Sequence, residues 1–175
     1  MSNLQARLRR IQIFLCDVDG VLTDGTVFIG GSQEIKRFNI QDGLGLVFLR
    51  RAGIKVGWVS NRPSKATKLR ARELKIDFLV QQIDRHSKVG VVEEILGRAK
   101  LGWDAASFMG DDVVDLGPLQ RAGLAVAVAN AGREAKAAAH YVTRATGGHG
   151  AVREVAEMIL KAQKKWNSIV AGYRV

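Results

Sequence analysis

Short apolar runs recur along the chain and are separated by stretches with helical periodicity. The runs show little alternation with polar residues, which is typical of strands buried on both faces of a sheet. They predict strands at residues 11–16, 55–59, 78–80, 107–109, 124–129 and 141–143.

The stretches between these runs predict amphipathic helices. Ser87 is the expected N-cap of one helix, whose apolar stripe consists of Val89, Val92, Leu96 and Ala99. A second stripe, near the C-terminus, consists of Val152, Val155, Met158, Ile159, Ala162 and Trp166. Gly123 is the expected C-terminal cap of a helix over residues 113–121.

The alternation of strands and helices predicts parallel strands joined by right-handed crossovers. The expected fold class is therefore α/β, with an open parallel sheet and helices on both faces. The segment TVFIGGSQEIKRFN, residues 26–39, interrupts this alternation with two extended pieces around Gly30 and Gly31. Such a pattern predicts an inserted β-hairpin.

Length and composition favour a single domain over residues 1–175. The chain has 175 residues, of which 47% are hydrophobic, enough for one buried core, and no linker or repeat marks a boundary. Cys16 is the only cysteine, so no intramolecular disulfide can form. The N-terminal apolar run is short and stops at Asp17, which favours a strand over a signal peptide. We therefore expect a cytoplasmic protein without a membrane partner.

The chain is strongly basic, with a net charge of +10. The basic residues fall mainly on three predicted helices, without interleaved aromatic residues or a zinc or helix-turn-helix motif. Solvated helix faces are therefore the favoured interpretation, and no nucleic-acid partner is expected. The positive charge would still raise the local concentration of small anionic substrates. These residues are Arg7, Arg9, Arg10, Lys65, Lys68, Arg70, Arg72, Lys161, Lys164 and Lys165.

Polar residues follow several predicted strands at the point where each strand ends. Because the carboxyl ends of parallel strands share one edge of a sheet, where ligands bind, these side chains are expected to converge. They are Asp17 and Asp19 after the first strand, Ser60, Asn61 and Arg62 after the second, Lys88 after the third, and Asp111 and Asp112 after the fourth.

Carboxylates that converge in this way repel one another and require a cation or a raised pKa. Oxygen ligands from one or two carboxylates, completed by water and substrate phosphate, favour Mg²⁺ over calcium or zinc. Each element has a simpler interpretation when it is taken alone. Paired aspartates often form turns or caps, a lone lysine usually lies on the surface, and Asp111, Asp112 and Asp115 would stabilise a helix N-terminus.

The order of the motifs DVDGVLTDG, VSNR, a lysine at the head of a helix, and GDDVVD resembles the haloacid dehalogenase phosphohydrolase superfamily. The segments FNIQDGLG, GDDVVDLGPLQRAGLAVAVANA and YVTRATGGHGAVREVAEMIL are similar to the 3-deoxy-D-manno-octulosonate 8-phosphate phosphatase family of lipopolysaccharide synthesis. This second resemblance covers about residues 11–165. It implies a Rossmann-like core without a large cap domain and a phosphorylated acid sugar as the substrate.

The resemblance also implies roles for individual residues. Asp17 would be the nucleophile that forms an aspartyl phosphate, and Asp19 the general acid and base. The ligands of Mg²⁺ would be the side chains of Asp17 and Asp111 and the backbone carbonyl of Asp19. Lys88 and Ser60 would contact the transferring phosphoryl group, while Asp112 and Asp115 would orient the metal waters or Lys88.

Specificity and assembly are further implications of the resemblance. Asn61 and Arg62 are candidate substrate contacts, because a guanidinium can bind a carboxylate with two hydrogen bonds. The hairpins would assemble a homotetramer, and the loop TGGHG, residues 146–150, would help to close the site. The chain departs from the family pattern at His149, where a charged residue such as arginine is expected, and in VSNR, which replaces TGR.

Other functions remain open at this level. A receiver domain also gathers aspartates and a lysine at a sheet edge, but its lysine comes last in the chain. A catalytically silent tetramerisation domain would keep the fold without the chemistry. Within the phosphatases, a nine-carbon sialic-acid-type 9-phosphate is the second candidate substrate.

Overall fold

We describe a computed structural model of the chain, in which residues 3–31, 33–81 and 88–174 are described. Eight α-helices are assigned in this part of the chain: α1 (Asn3–Arg10), α2 (Ile40–Arg51), α3 (Lys65–Glu73), α4 (Lys88–Ala99), α5 (Leu116–Arg121), α6 (Arg133–Ala138), α7 (Ala151–Ala162) and α8 (Trp166–Ala171). Its strands are β1 (Ile13–Cys16), β2 (Phe28–Gly30), β3 (Gln33–Ile35), β4 (Lys55–Ser60), β5 (Phe78–Gln81), β6 (Ala106–Gly110), β7 (Leu124–Ala127) and β8 (Tyr141–Val142). Two short 3₁₀ helices, Trp103–Ala105 and Val113–Asp115, complete the assignment.

Six strands form one parallel sheet in the order β5-β4-β1-β6-β7-β8. The predicted α/β fold class is confirmed, and each predicted run overlaps one of these strands. Side chains of β1, β6 and β7 are buried along the whole strand, as expected for strands covered on both faces. Full burial of a large apolar side chain such as Phe14 or Phe108 stabilises the fold by roughly 1.5–3 kcal/mol.

The helices form two packed groups. Helix α7 packs against α1, α2 and α8, while α5 packs against α4 and α6. Right-handed crossovers from β1 to β4 and from β6 to β7 run in opposite directions along the sheet and place the two groups on opposite faces. The chain therefore reverses direction between β1 and β6, and a crevice opens beyond the carboxyl ends of these two neighbouring strands.

The predicted hairpin is present as a separate two-stranded antiparallel sheet of β2 and β3. Gly31 lies at its turn with φ +57°, a backbone conformation that glycine adopts without strain. The hairpin exposes large apolar side chains: Phe28 is 59% exposed, Ile29 75% and Ile35 62%. We call these three residues the apolar hairpin residues; Phe28 and Ile35 are paired across the two strands and share one face, and Ile29 lies on the other.

Three details of the helix predictions differ from the structure. Helix α5 ends at Arg121, and its C-cap residue Ala122 has an extended backbone. Gly123 is not in the left-handed region, so the predicted glycine cap is wrong. A Cβ at Gly123 would instead lie 2.2 Å from the Asp104 carbonyl oxygen, which makes close packing the reason for this glycine. The C-terminal stripe is divided between α7 and α8 at Lys164, whose φ is +59°.

In α4, Val92 and Leu96 are buried as predicted, whereas Val89 and Ala99 are half-buried and Ile95 completes the buried stripe. The predicted cap Ser87 lies outside the described residues. Within the described part of the chain, no helix has the length and apolar character needed to cross a bilayer.

Candidate active site

Asp17 continues β1 into the crevice at the reversal point. Its backbone N–H donates to the Met109 carbonyl, at 3.0 Å. The hydrogen-bond ladder between β1 and β6 therefore extends one residue beyond the strand and fixes the position of the Asp17 backbone. The Asp17 side chain is buried, and one of its oxygens accepts a 2.6 Å hydrogen bond from the Val18 N–H. The thiol of Cys16, the preceding residue, is also buried, and burial raises its pKa well above the usual range.

A glycine allows the first and fourth motifs to approach each other. Gly20 has φ +88°, and a Cβ at this position would lie 2.0 Å from an Asp111 carboxylate oxygen. Any other residue would therefore be strained and would displace Asp111. Thr23 closes the same turn, since its hydroxyl oxygen accepts hydrogen bonds from the N–H groups of Gly20 and Gly25.

Lys88 connects the nucleophile candidate to the fourth motif. Its Nζ lies 2.7 Å from a carboxylate oxygen of Asp17 and 2.7 Å from one of Asp115, and all three side chains are buried. The other Asp115 oxygen accepts a 2.9 Å hydrogen bond from the Asp111 N–H. Asp115 thus contacts Lys88, as expected from the sequence.

Asp112 occupies a different position. Its side chain is exposed, accepts a hydrogen bond from the Val113 N–H at 2.7 Å, and forms a capping box with Asp115 at the start of a 3₁₀ helix. This matches the simpler interpretation of an N-terminal cap. Its contact with metal-bound water stays a prediction.

Two carboxyl groups of this site, those of Asp17 and Asp111, carry raised pKa values. Burial, the repulsion of Asp115 and that of Asp17 raise the pKa of Asp111 to about 7. Burial also raises the pKa of Asp17, to about 6, although the Lys88 ammonium opposes the shift. Burial lowers the pKa of Lys88, but its ion pairs with Asp17 and Asp115 outweigh this effect and raise it overall.

The donor set fits a hard divalent cation. Oxygen atoms of Asp17, Asp111 and Asp115 lie within 4.8 Å of one another, and three carboxylates face the single charge of Lys88. Asp17 and Asp115 are both bonded to Lys88 and to a backbone N–H, and it is the resemblance to the family that names Asp17 and Asp111 as the side-chain ligands. An additional cation at these two groups would offset the burial and the repulsion that raise their pKa values.

Asp19 lies outside this group of carboxylates. Its two carboxylate oxygens accept hydrogen bonds from Lys36 Nζ at 2.7 and 2.9 Å. Lys36 was not predicted as a site residue, and its sequence position, directly after a hairpin strand, is typical of an exposed lysine. Asp19 therefore has a lysine partner that sequence reasoning missed.

The segment after β4 is held by local hydrogen bonds and by the hairpin. Ser60 is buried, and its hydroxyl accepts from the Arg62 N–H and donates to the Arg62 carbonyl. The Arg62 guanidinium donates to Glu34 at 2.6 and 3.1 Å, and Asn61 is exposed. A substrate carboxylate at Arg62 would therefore compete with Glu34.

The glycine-rich loop at residues 146–150 lies against the first motif. The Gly148 N–H donates to the Val21 carbonyl at 2.9 Å, and a Cβ at Gly147 would collide with the Gly20 carbonyl. His149 contacts Arg37 across the site mouth at 3.0 Å. The loop therefore contacts the first motif, as a closing element would.

Asp42 is a second residue that sequence reasoning missed. It is buried and accepts hydrogen bonds from the N–H groups of Gly150 and Arg153, at 3.1 and 2.8 Å. It thereby ties the start of α7 to α2. Its occurrence in the motif FNIQDGLG was the available signal, but the motif alone does not show what the carboxylate contacts.

The comparisons with known proteins agree with this geometry. A family model of haloacid dehalogenase-like hydrolases matches residues 83–155. The 3-deoxy-D-manno-octulosonate 8-phosphate phosphatase KdsC of Yersinia pestis is 39% identical over 160 residues, which cover 91% of this chain and 84% of that protein. KdsC of Escherichia coli (strain K12) is 35% identical over 165 residues, which cover 94% and 87% of the two chains.

Solved structures show the same similarity. The 3-deoxy-D-manno-octulosonate 8-phosphate phosphatase from Moraxella catarrhalis, in complex with a magnesium ion, a phosphate ion and a KDO molecule, superposes with a TM-score of 0.95 and 34% identity over 99% of each chain. These relatives favour neither the nine-carbon substrate nor a silent tetramerisation domain. With its motif carboxylates and lysine gathered at the crevice between β1 and β6, this chain belongs to the haloacid dehalogenase-like hydrolases, in the family of 3-deoxy-D-manno-octulosonate 8-phosphate phosphatases.

Proposed function

We propose that this protein is a Mg²⁺-dependent phosphatase that hydrolyses 3-deoxy-D-manno-octulosonate 8-phosphate to the free eight-carbon acid sugar and phosphate, in lipopolysaccharide synthesis. The observation that carries the proposal is the buried contact of Asp17 with Lys88 at 2.7 Å, beside Asp111, at the reversal point of the sheet. The relatives that this chain resembles over most of its length are named for this activity.

Asp17 is the nucleophile in this proposal. A carboxylate oxygen of Asp17 attacks phosphorus, and the bond between phosphorus and the sugar oxygen breaks. Asp19 gives its proton to that oxygen, and the free sugar leaves. Asp19 then takes a proton from water, which attacks phosphorus and releases phosphate and the Asp17 carboxylate.

The remaining residues stabilise charge and orientation. Lys88, held by Asp115, places its ammonium group beside the Asp17 carboxylate, where phosphoryl oxygens gather during transfer. The Ser60 hydroxyl exchanges its bond to the Arg62 carbonyl for a phosphoryl oxygen. Asp17, Asp111 and the Asp19 carbonyl hold Mg²⁺, which when bound supplies further positive charge beside the phosphoryl group.

Arg62 and Asn61 select the substrate in this proposal. Both are exposed beside the site, and Arg62 transfers its two hydrogen bonds from Glu34 to the sugar carboxylate when the substrate binds. Such an exchange keeps the guanidinium paired in both states.

Four copies of the chain assemble through their hairpins in this proposal. The apolar hairpin residues expose three large side chains on the two faces of a two-stranded sheet, and Ile40, at the start of α2, is 73% exposed. Apolar surface of this kind is stabilised when a partner covers it. The expected location of the enzyme is the cytoplasm, whose reducing conditions suit a chain with one free cysteine.

A side-by-side assay of phosphorylated acid sugars tests the activity. Phosphate release from the eight-carbon 8-phosphate should exceed release from the nine-carbon 9-phosphate and should stop when EDTA removes Mg²⁺. Full activity in EDTA would contradict the metal assignment, and a preference for the nine-carbon compound would contradict the substrate. Sedimentation of a variant without residues 27–36 should show monomers, whereas an unchanged tetramer would exclude the hairpin as the interface.

A further inference from the structure

The segment from Glu34 to Phe38, which we call the return arm, leads the chain from the hairpin back to the sheet. Each of four residues in it contacts a different part of the site. Glu34 binds Arg62, Lys36 binds Asp19, and Arg37 binds Asp24 and His149. The ring of Phe38 stacks on Trp58 of β4, with 6.3 Å between the centroids.

Lys36, in the return arm, is buried, unlike a typical surface lysine. Its side chain has 0% exposure, and its Nζ contacts both oxygens of Asp19, with Glu34 at 3.8 Å. Removing an ammonium group from water is costly, and the cost is offset only by close anionic partners. The partner that Lys36 contacts at hydrogen-bond distance is the carboxylate assigned to proton transfer.

Asp19 depends on this contact for its orientation. In the described part of the chain, Lys36 is the only side chain that hydrogen-bonds or ion-pairs with the Asp19 carboxylate. The Asp19 side chain is 24% exposed, so a substrate oxygen can reach it. Without Lys36, the side chain of Asp19 would rotate among several rotamers.

We propose that Lys36 is the positioning residue for Asp19, a role that rests on the proposed function. When the bond from phosphorus to the sugar oxygen breaks, its electron pair passes to that oxygen, which takes the Asp19 proton. The ammonium group of Lys36 holds the carboxylate that this transfer leaves and keeps it oriented for the incoming water, whose proton it then accepts. The inserted hairpin thereby acts on the chemistry within its own chain, through Lys36.

Two substrates with different leaving groups distinguish a positioning role of Lys36 from a general structural role. A sugar alkoxide leaves only with a proton, whereas p-nitrophenolate leaves without one. A defect in the orientation of Asp19 therefore slows release of the sugar and spares release of p-nitrophenolate. A distorted site slows both.

The experiment measures the first turnover, with enzyme in excess and saturating Mg²⁺, by rapid quench for sugar release and by absorbance for p-nitrophenolate. Lys36→Met should slow sugar release by about 100-fold and p-nitrophenolate release by less than about threefold. Asp19→Asn removes the acid itself and therefore gives the largest slowing of sugar release that a disturbed Asp19 can cause. Lys161→Met is the matched control, because Lys161 forms a 2.7 Å ion pair with Glu157 on the outer face of α7, and it should change neither rate.

Equal slowing of both substrates, or no slowing of either, would overturn the proposal. If Lys36→Met does not fold, Lys36→Arg decides in the same way, since it keeps the charge but moves the donors. It should slow sugar release by about tenfold and leave p-nitrophenolate release within about threefold. If the wild-type enzyme releases p-nitrophenolate but not the eight-carbon sugar, the proposed substrate is wrong, and the comparison is repeated with an alkyl phosphate that the enzyme does hydrolyse.

Discussion

The two ends of the parallel strands carry polar side chains that act in opposite ways. We call the side of the sheet at the amino ends of the strands the amino edge and the side at their carboxyl ends the carboxyl edge. At the amino edge, basic and amide side chains donate to backbone carbonyls that are left over where helices end. Arg7 donates to the Gly123 carbonyl, Gln163 to those of Leu8 and Ile11, and Lys165 to that of Ala52. At the carboxyl edge, Asp17 and Asp111 have raised pKa values and face a third carboxylate.

The comparison shows how a functional edge is recognised. Side chains at the amino edge neutralise the negative ends of helices and satisfy their acceptors, so this edge is complete within the chain. The carboxyl edge is not electrostatically complete, because three carboxylates, two of them buried and that of Asp111 half-buried, lie around one ammonium group. A cation and a phosphoryl group are what this edge is built to receive.

The largest expected effect is that of Asp17→Asn. Turnover should fall by at least about 10⁴-fold, because the amide does not attack phosphorus. Burial disfavours the ionised carboxyl of Asp17, so the metal-free variant should melt no lower than the wild-type protein at neutral pH. Phosphate release and thermal melting check the two parts, and persistent turnover would show that another residue is the nucleophile.

Lys88→Met should be the largest disturbance of stability. It leaves Asp17 and Asp115 buried without their ammonium partner, which is expected to lower the free energy of unfolding by about 3–5 kcal/mol without Mg²⁺. Urea titration gives the value. A loss below about 1 kcal/mol would mean that the carboxylates are protonated or hydrated in the wild-type protein.

The pH dependence follows from the same carboxyl groups. Because Asp17 and Asp111 titrate at about 6 and about 7 in the folded chain and at their ordinary pKa of 3.8 when unfolded, the folded state holds more protons between these values. Their contribution to stability is present at low pH and is lost as pH rises through this window. Mg²⁺ must displace these protons, so it should raise the melting temperature more at about pH 8 than at about pH 5.5.

Asp111→Asn is the control for this dependence. The variant should lose much of the difference between the two pH values, because one of the two titrating ligands is absent. An equal Mg²⁺ effect in the wild-type protein at both pH values would contradict proton-linked binding.

The smallest expected effect belongs to the amino edge. Gln163→Ala removes the donor to two carbonyls and should lower the free energy of unfolding by about 1–2 kcal/mol, with unchanged turnover per folded molecule. Urea titration and the phosphatase assay measure the two quantities. A loss of activity in the folded variant would show that the two edges are coupled, and the contrast between them would fail.

Most residues of the carboxyl edge can be predicted from the sequence, because each of them directly follows a recognisable strand. Strand runs end at Asp17 and at Asp111, and parallel strands bring their ends to one edge whatever the details of the loops. Asp115 lies beside Lys88, a placement that came from the resemblance to the family and not from the strand pattern. Resemblance to a known family then supplied roles for these residues.

The parts that were not predicted depend on contacts between distant segments. Lys36 lies in a hairpin whose direction is set by packing, so its sequence position does not indicate burial. Asp42 binds the start of a helix more than 100 residues later in the chain. Arg7 and Lys165 were predicted as solvated charges, but the carbonyls that they bind are exposed only after the helices have packed. Gly123 was predicted as a helix cap from its neighbours in sequence. The structure shows instead that the Asp104 carbonyl, which is distant in sequence, leaves no room for a side chain at this position.

The buried thiol of Cys16 has a practical consequence. It is the sole sulfhydryl of the chain, has 0% exposure, and is held protonated by its surroundings, so alkylating reagents would not reach it. A cysteine introduced at the tip of the hairpin would therefore take up a spin label or fluorophore alone, without prior removal of native cysteines. Distances between such labels would test directly whether copies of this chain meet at the hairpin in solution.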